Sequence, residues 1–216
     1  MVVIEFLVYM ELKEVRRLIN LCRYEDDLYI AGYRRIAGVD EVGRGSLAGP
    51  LVAAAVILDR KNLIIENIND SKKITEERRK HIFKEIIKRC MCWSVVRMSP
   101  GEIDRLSMAR ANAIAFKRVV RGLKKKPDII LSDFIGKDLG DEFLPMVKGD
   151  QISISIAAAS IIAKVIRDRV MLKLSKIYPE YGFEHNKGYG TQEHLRALQK
   201  YGPTIIHRAS FRGVLS

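Results

Sequence analysis

Two apolar, partly β-branched runs, Ile36–Asp40 and Leu51–Leu58, stand either side of a glycine-rich stretch, Gly43–Pro50, and this arrangement constrains the fold more than any other part of the chain. Such runs suit buried strands, and a short glycine-containing connection suits two strands that lie side by side. A helix is predicted over Ser71–Arg89, with Ile74, Ile82, Phe83, Ile86 and Ile87 on one face. The chain then returns to strand character over Cys90–Arg97, where Cys90 and Cys92 share a strand face. Ser99, Pro100 and Glu102 form a helix start with a capping box, and that helix is expected to run to about Arg121. Pro127 punctuates the entry to a further strand, Ile129–Leu131, and Phe143–Val147 reads as another. From Ser153 to about Lys173 the pattern is helical, and its dense small-residue segment, Ala157–Ser160, would let that helix approach a sheet closely. Thr191 is placed to cap a last helix, Gln192–Lys200, and residues 11–30 carry an amphipathic N-terminal helix. Hairpin-ordered strands followed by mixed helices and strands indicate an α/β fold built on a mixed sheet.

The chain's 216 residues suffice for a sizeable core without disulfides. Its three cysteines, Cys22, Cys90 and Cys92, are an odd number and read as buried structural residues, which favours a reducing, cytoplasmic location. The apolar stretch Met1–Met10 is too short to span a bilayer and lacks a basic leader, so neither export nor a membrane is expected. The net charge is +12, yet residues 1–36 hold six acids and six bases, so the whole surplus lies beyond Arg35. A localised surplus of this kind is the footprint of a polyphosphate partner, because each neutralised phosphate releases condensed counterions.

Four acids sit where core elements meet solvent. Asp40 and Glu41 close the first strand, Asp133 closes the Ile129 strand, and Asp150 starts a helix after Lys148 and Gly149. Successive strand residues face opposite ways, so Asp40 and Glu41 can share one ion only near a bend or strand end, which Gly43 permits. Carboxylates without nearby cysteine or histidine ligands suit Mg²⁺ or Mn²⁺ rather than Zn²⁺. His81, His185, His194 and His207 show no metal-ligand spacing and read as surface or packing residues, with His185 the one loop candidate for substrate contact. Gly43-Arg44-Gly45 lacks the spacing of a nucleotide-cofactor loop.

The segment Gly38 to Pro50, GVDEVGRGSLAGP, closely resembles the signature of the ribonuclease HII family. Asp70-Ser71-Lys72-Lys73, the strand ending at Asp133, Lys148-Gly149-Asp150, the run from Ser155 to Asp168, and Asn186 to Thr191 agree with the family in order, so the resemblance covers about Ile36–Phe211. One departure is Phe134, where the family pattern places a small residue. The resemblance implies a ribonuclease H-like mixed five-stranded sheet flanked by helices, with helical additions at both ends. On that basis residues 1–35 are an N-terminal helical extension, 36–175 the catalytic domain, and 176–216 a helical segment completing the substrate site.

It further implies that Asp40, Glu41, Asp133 and Asp150 are catalytic metal ligands for two Mg²⁺ or Mn²⁺ ions, with Asp40 bridging and Asp150 nearest the attacking water. The implied substrates are RNA/DNA hybrids and DNA duplexes with single embedded ribonucleotides, cut to leave 3′-hydroxyl and 5′-phosphate ends. Gly43, Arg44 and Gly45 would read the ribose 2′-hydroxyl through their backbone, Tyr189 would pack on the following sugar, and Lys72, Lys148 and Lys164 are candidates for phosphate contact. A monomer is expected. Ribonuclease HIII is the nearest alternative, although it would normally bring an N-terminal binding domain and a lysine in place of Arg44. A strand-transfer nuclease of the same fold, or a basic nucleic-acid-binding module whose acids are structural, are the others.

Overall fold

The computed structural model describes residues 11–68, 74–133, 139–140 and 142–215. The strands β1 (Ile36–Val42), β2 (Leu51–Leu58), β3 (Cys90–Met98), β4 (Ile129–Ser132) and β5 (Phe143–Pro145) form one sheet in the order β3-β2-β1-β4-β5. β1 to β3 are an antiparallel meander, whereas β1, β4 and β5 run parallel. This is the expected mixed five-stranded sheet. Every residue of β2 is buried, as an apolar run covered on both faces requires.

The helices are α1 (Leu12–Ile30), α2 (Glu76–Arg89), α3 (Pro100–Leu106), α4 (Met108–Arg121), α5 (Ile154–Ile177), the short α6 (Phe183–Asn186) and α7 (Gln192–Tyr201). One face of the sheet packs on α1, α2 and α5 through residues such as Val52, Ala54, Val56, Ile82, Ile156 and Ala159. The other packs on α4 through Ala37, Val39, Ala53, Ala55, Phe116 and Val119. Among the described residues no helix is long and apolar enough to cross a membrane.

The small-residue stretch of α5 brings that helix against the centre of the sheet. A Cβ on Gly38 of β1 would lie 2.0 Å from the Ser155 carbonyl carbon, so only glycine admits the helix at this depth. The start of α5 is held from another element. Glu25 of α1 is fully buried, and its carboxylate accepts from the Ser153 hydroxyl at 2.5 Å and the Ser155 N–H at 2.9 Å. Ser153 in turn accepts from the Ile156 N–H, so the N-terminal helix completes the cap of the helix that faces the sheet.

The helix predicted to run unbroken from Ser99 to Arg121 is two helices. Its capping box forms as expected, but Ser107 adopts φ 69° and separates α3 from α4. A left-handed residue that is not glycine costs about 1–2 kcal/mol. The break lets each piece dock separately. The Asp104 carboxylate on α3 accepts from the Ala209 N–H, Ser210 N–H and Ser210 hydroxyl, while α4 lies along the sheet. Smaller differences are that α2 begins at Glu76 behind a Thr75 cap, and that the run predicted as a strand over Phe143–Val147 pairs only through Pro145.

Candidate active site

The parallel pairing of β1 and β4 sets Val39 beside Ser132, and the Asp133 N–H donates to the Val39 carbonyl. The acids that follow, Asp40 and Asp133, therefore leave the sheet side by side. The Asp133 carboxylate accepts from the Gly149 N–H at 2.6 Å, which draws in the 3-10 turn Gly149–Gln151 and its Asp150. That turn precedes the Ser153 cap, so the turn and the Asp133 contact, rather than the first turn of α5, position Asp150. All four acids line one cavity of about 570 Å³.

Asp40 and Glu41 reach the cavity from opposite faces of β1. Asp40 is on the α5 side, near the Ser160 hydroxyl, and Glu41 is on the α4 side, near Asn112. Burial holds the Asp40 carboxyl well above the usual carboxylate range, and the neighbouring charges of Glu41 and Asp133 raise it further. Burial likewise raises Glu41 to about 7, with the Arg44 guanidinium, 3.6 Å away, opposing the shift. Glu41 Oε2 is buried and makes no hydrogen bond among the described residues.

The cavity therefore concentrates carboxylates that the protein itself leaves poorly neutralised, and this donor set fits hard divalent cations. Among the described residues no three acidic, histidine or cysteine side chains gather tightly enough to hold an ion unaided.

The glycine-rich loop, which continues from Glu41, forms another part of the lining. Gly43, Arg44, Gly45 and Tyr189 all line the same cavity. Gly43 has φ +102°, and a Cβ there would lie 2.3 Å from Nε of Arg167. Two buried guanidiniums fix this loop from behind. Arg167 of α5 donates to the Pro50 and Ala48 carbonyls and to the Ser46 hydroxyl, and lies 5.3 Å from the Tyr189 ring centroid. Arg208 donates twice to the Gly49 carbonyl and once to the Arg44 carbonyl. The Tyr189 turn is tied to the same loop, because the Gly188 carbonyl accepts from the Leu47 and Ala48 N–H groups.

The sequence-predicted lysines divide. Lys164 lines the cavity and is paired with Asp168 at 2.8 Å. Lys148 is exposed, does not line the cavity, and adopts a left-handed conformation ahead of Gly149. Lys72, like Asp70 and Phe134, lies outside the described residues. Sequence reasoning missed Ser160 in the cavity lining and Arg167 and Arg208 as supports of the glycine-rich loop, while His194 and His207 are buried packing residues as expected. The spacing of Ser160, Lys164 and Arg167 places them on one helical face and could have revealed the first two of these. Arg208 carries no such local signal.

Comparison with known proteins identifies the family. The family model for ribonuclease HII matches residues 37–214. A ribonuclease HII from Caldicellulosiruptor bescii is 49% identical over 199 residues, covering 91% of this chain and 96% of its own. The crystal structure of ribonuclease H2 from Pyrococcus horikoshii superposes with a TM-score of 0.75 at 30% identity, covering 83% of this chain and 95% of its own. A ribonuclease HII from Archaeoglobus fulgidus, solved in complex with PCNA, gives a TM-score of 0.70 at 28% identity over 82% of this chain and 95% of its own. The chain belongs to the ribonuclease HII family, and is thereby a metal-dependent hydrolase of the ribonuclease H type.

Proposed function

We propose that the protein is an endonuclease that hydrolyses the RNA strand of RNA/DNA hybrids and incises 5′ of single ribonucleotides embedded in DNA duplexes. The observation that carries this reading is that four carboxylates and a backbone-rich glycine loop with a tyrosine line a single cavity. The carboxylates supply the hydrolytic side. Asp40, Glu41, Asp133 and Asp150, which line that cavity, would hold two Mg²⁺ or Mn²⁺ ions. When bound, such ions lower the pKa of water and stabilise the leaving oxygen of an in-line displacement. The chain then needs no nucleophile of its own, and the expected ends are 3′-hydroxyl and 5′-phosphate.

The loop and tyrosine supply the selection. Backbone N–H and C=O groups of Gly43, Arg44 and Gly45 can both donate to and accept from a ribose 2′-hydroxyl, which DNA lacks. Arg167 holds the loop through the Pro50 carbonyl, and Arg208 holds it through the Gly49 and Arg44 carbonyls, which leaves the Arg44 N–H and the Gly45 backbone to meet the hydroxyl. The Tyr189 ring, half exposed at the cavity edge, is placed to pack on the sugar that follows. The charge surplus beyond Arg35 draws in the duplex.

Cleavage mapping tests this reading on duplexes with one, four or many consecutive ribonucleotides, with and without Mg²⁺ or Mn²⁺. Metal-dependent cuts confined to ribonucleotide positions, including the single one, are expected. Cuts in all-DNA duplexes, or none at the single ribonucleotide, would overturn it.

A further inference from the structure

Beneath the Tyr189 turn lie two buried histidines that the carboxylate chemistry does not use. His194 of α7 and His207 of the C-terminal segment approach with their Nε2 atoms 3.1 Å apart. The rings of Tyr181 and Phe183 enclose them. Their outer nitrogens meet backbone. His194 Nδ1 lies 3.0 Å from the Tyr189 carbonyl, and His207 Nδ1 accepts from the Thr204 N–H at 3.0 Å, with the Thr204 hydroxyl 2.9 Å away.

These contacts leave one order of protons. A carbonyl only accepts, so His194 carries its proton on Nδ1. A backbone N–H only donates, so His207 Nδ1 is bare and its proton sits on Nε2. The bare Nε2 of His194 then faces the Nε2–H of His207, and both ends of the pair demand the same arrangement. A second proton on His194 would set two N–H groups against each other across 3.1 Å. A second proton on His207 would set its Nδ1–H against the Thr204 N–H.

The surroundings disfavour such a charge. Burial pushes both rings down, His207 to about 4 with His194 lowering it further, while Glu193 on α7 acts in the opposite sense on His194. The Tyr181 phenol, whose ring packs against both, donates to the Gly202 carbonyl and offers the pair no acceptor charge.

The pair spans the two parts of the recognition wall. His207 forms a β-bridge with Ala48, the Arg208 N–H donates to the Leu47 carbonyl, and the Gly49 N–H donates to the Ile206 carbonyl, so this segment moves with the glycine-rich loop. His194 grips the Tyr189 carbonyl on the other side. We propose that His194 and His207 are positioning residues, a one-proton bridge that holds Tyr189 in register with the Gly43–Pro50 loop and thereby sets the preference for an isolated ribonucleotide. This rests on the reading that Tyr189 packs on the adjoining sugar. The Tyr189 carbonyl also accepts from the Thr191 N–H at 2.8 Å, so loss of the bridge loosens the turn without dismantling it.

Long-range ¹H–¹⁵N correlation spectra of the intact, ¹⁵N-histidine-labelled protein read the tautomers directly. His194 should be an Nδ1–H tautomer and His207 an Nε2–H tautomer, both staying neutral to lower pH than a free histidine does. The reverse tautomers, or an imidazolium at neutral pH, would overturn the proposal even if variants failed to fold. In cleavage assays, His194→Phe keeps the ring packing and removes both nitrogens. The ratio of single-ribonucleotide to long-hybrid cleavage should fall about 3- to 10-fold, the range of one lost hydrogen bond. His194→Asn, whose amide can donate where Nδ1 did, should recover part of that ratio. An equal fall on both substrates would make the histidines merely structural and overturn the proposal. Tyr189→Ala, run alongside, separates the two ideas. An unchanged ratio there sinks the reading of the tyrosine and the selectivity built on it, whereas a lowered ratio there with none in His194→Phe sinks the bridge alone.

Discussion

The two walls of the cavity are built on opposite principles. On the carboxylate side, Asp40 and Glu41 are buried beside Asp133 with their pKa values raised, and Glu41 Oε2 lacks a hydrogen bond among the described residues. On the recognition side, each loop carbonyl from Arg44 to Pro50 that a buried guanidinium can reach is gripped by Arg167 or Arg208, and the Tyr189 turn is bonded to loop and histidine alike. The difference teaches how hydrolysis and selection divide. The first wall holds Asp40 and Glu41 out of solvent, which disfavours their charged forms, with neighbouring acids adding to the effect, whereas the second is tied together through its own backbone.

The largest effect should come from removing the repulsion itself. Asp40→Asn or Asp133→Asn should lower cleavage by on the order of a thousand-fold or more, because metal stabilisation of the reacting phosphate is worth several kcal/mol. Duplex binding, measured by gel shift without metal, should be nearly unchanged. Either variant cleaving near the wild-type rate in saturating Mg²⁺ would break the contrast between the walls. Asp150→Asn should be slowed less, since water can replace a peripheral ligand, and Mn²⁺ should restore part of the rate. Full activity in Mg²⁺ would remove Asp150 from the first wall.

Tyr189→Ala sharpens the comparison from the other side. Losing a stacking aromatic is worth about 1–3 kcal/mol, or roughly 5- to 150-fold, and the loss should fall mainly on duplexes with one ribonucleotide. Such a duplex offers one 2′-hydroxyl, so its scissile phosphate relies on the ring for placement, while a uniform hybrid offers many registers. Steady-state rates on the two substrates falling by the same factor would mean that the ring only supports the site.

The smallest effects are in the pH dependence of the metal-free protein, where the walls should pull in opposite directions. Glu41 has its folded pKa raised to about 7, so its contribution is present below its ordinary value of 4.5 and is lost as pH rises through 7. His207 has its folded pKa lowered from 6.5 to about 4, so its contribution is present above 6.5 and is lost as pH falls towards 4. Thermal melts across this range should show the alkaline decline flattened by Asp40→Asn, which removes a neighbouring charge, and the acid decline flattened by His207→Phe. An alkaline decline that survives Asp40→Asn unchanged would place the repulsion elsewhere.

How far the sequence exposes each wall follows from the same contrast. The carboxylates are legible because they interrupt apolar strands at their ends, where a charge is conspicuous, and Gly43 is legible because a bend must follow two adjacent acids. The pairing of β1 with β2 follows from the short connection between them. Arg167 and Arg208 are not legible, because arginine in a helix or terminal segment ordinarily reads as solvated charge, and only the tertiary path of the loop supplies carbonyls to bury it. His194 and His207 are 13 positions apart and meet only because Asp104 and the glycine-rich loop both hold the C-terminal segment. The break at Ser107 is hidden for a related reason. The capping box at Ser99 gives a strong start and nothing local gives a stop, since docking of α3 and α4 on different partners decides it.

The claim that the carboxylate wall buries and crowds its acids at a cost that a cation offsets is tested most directly by melting temperatures at pH 8, with and without Mn²⁺, for the wild-type protein and Asp40→Asn. The account expects the metal-free variant to melt above the metal-free wild type, Mn²⁺ to raise the wild type, and the variant to respond little. A variant that melts below the wild type without metal, or that gains as much from Mn²⁺, would contradict it.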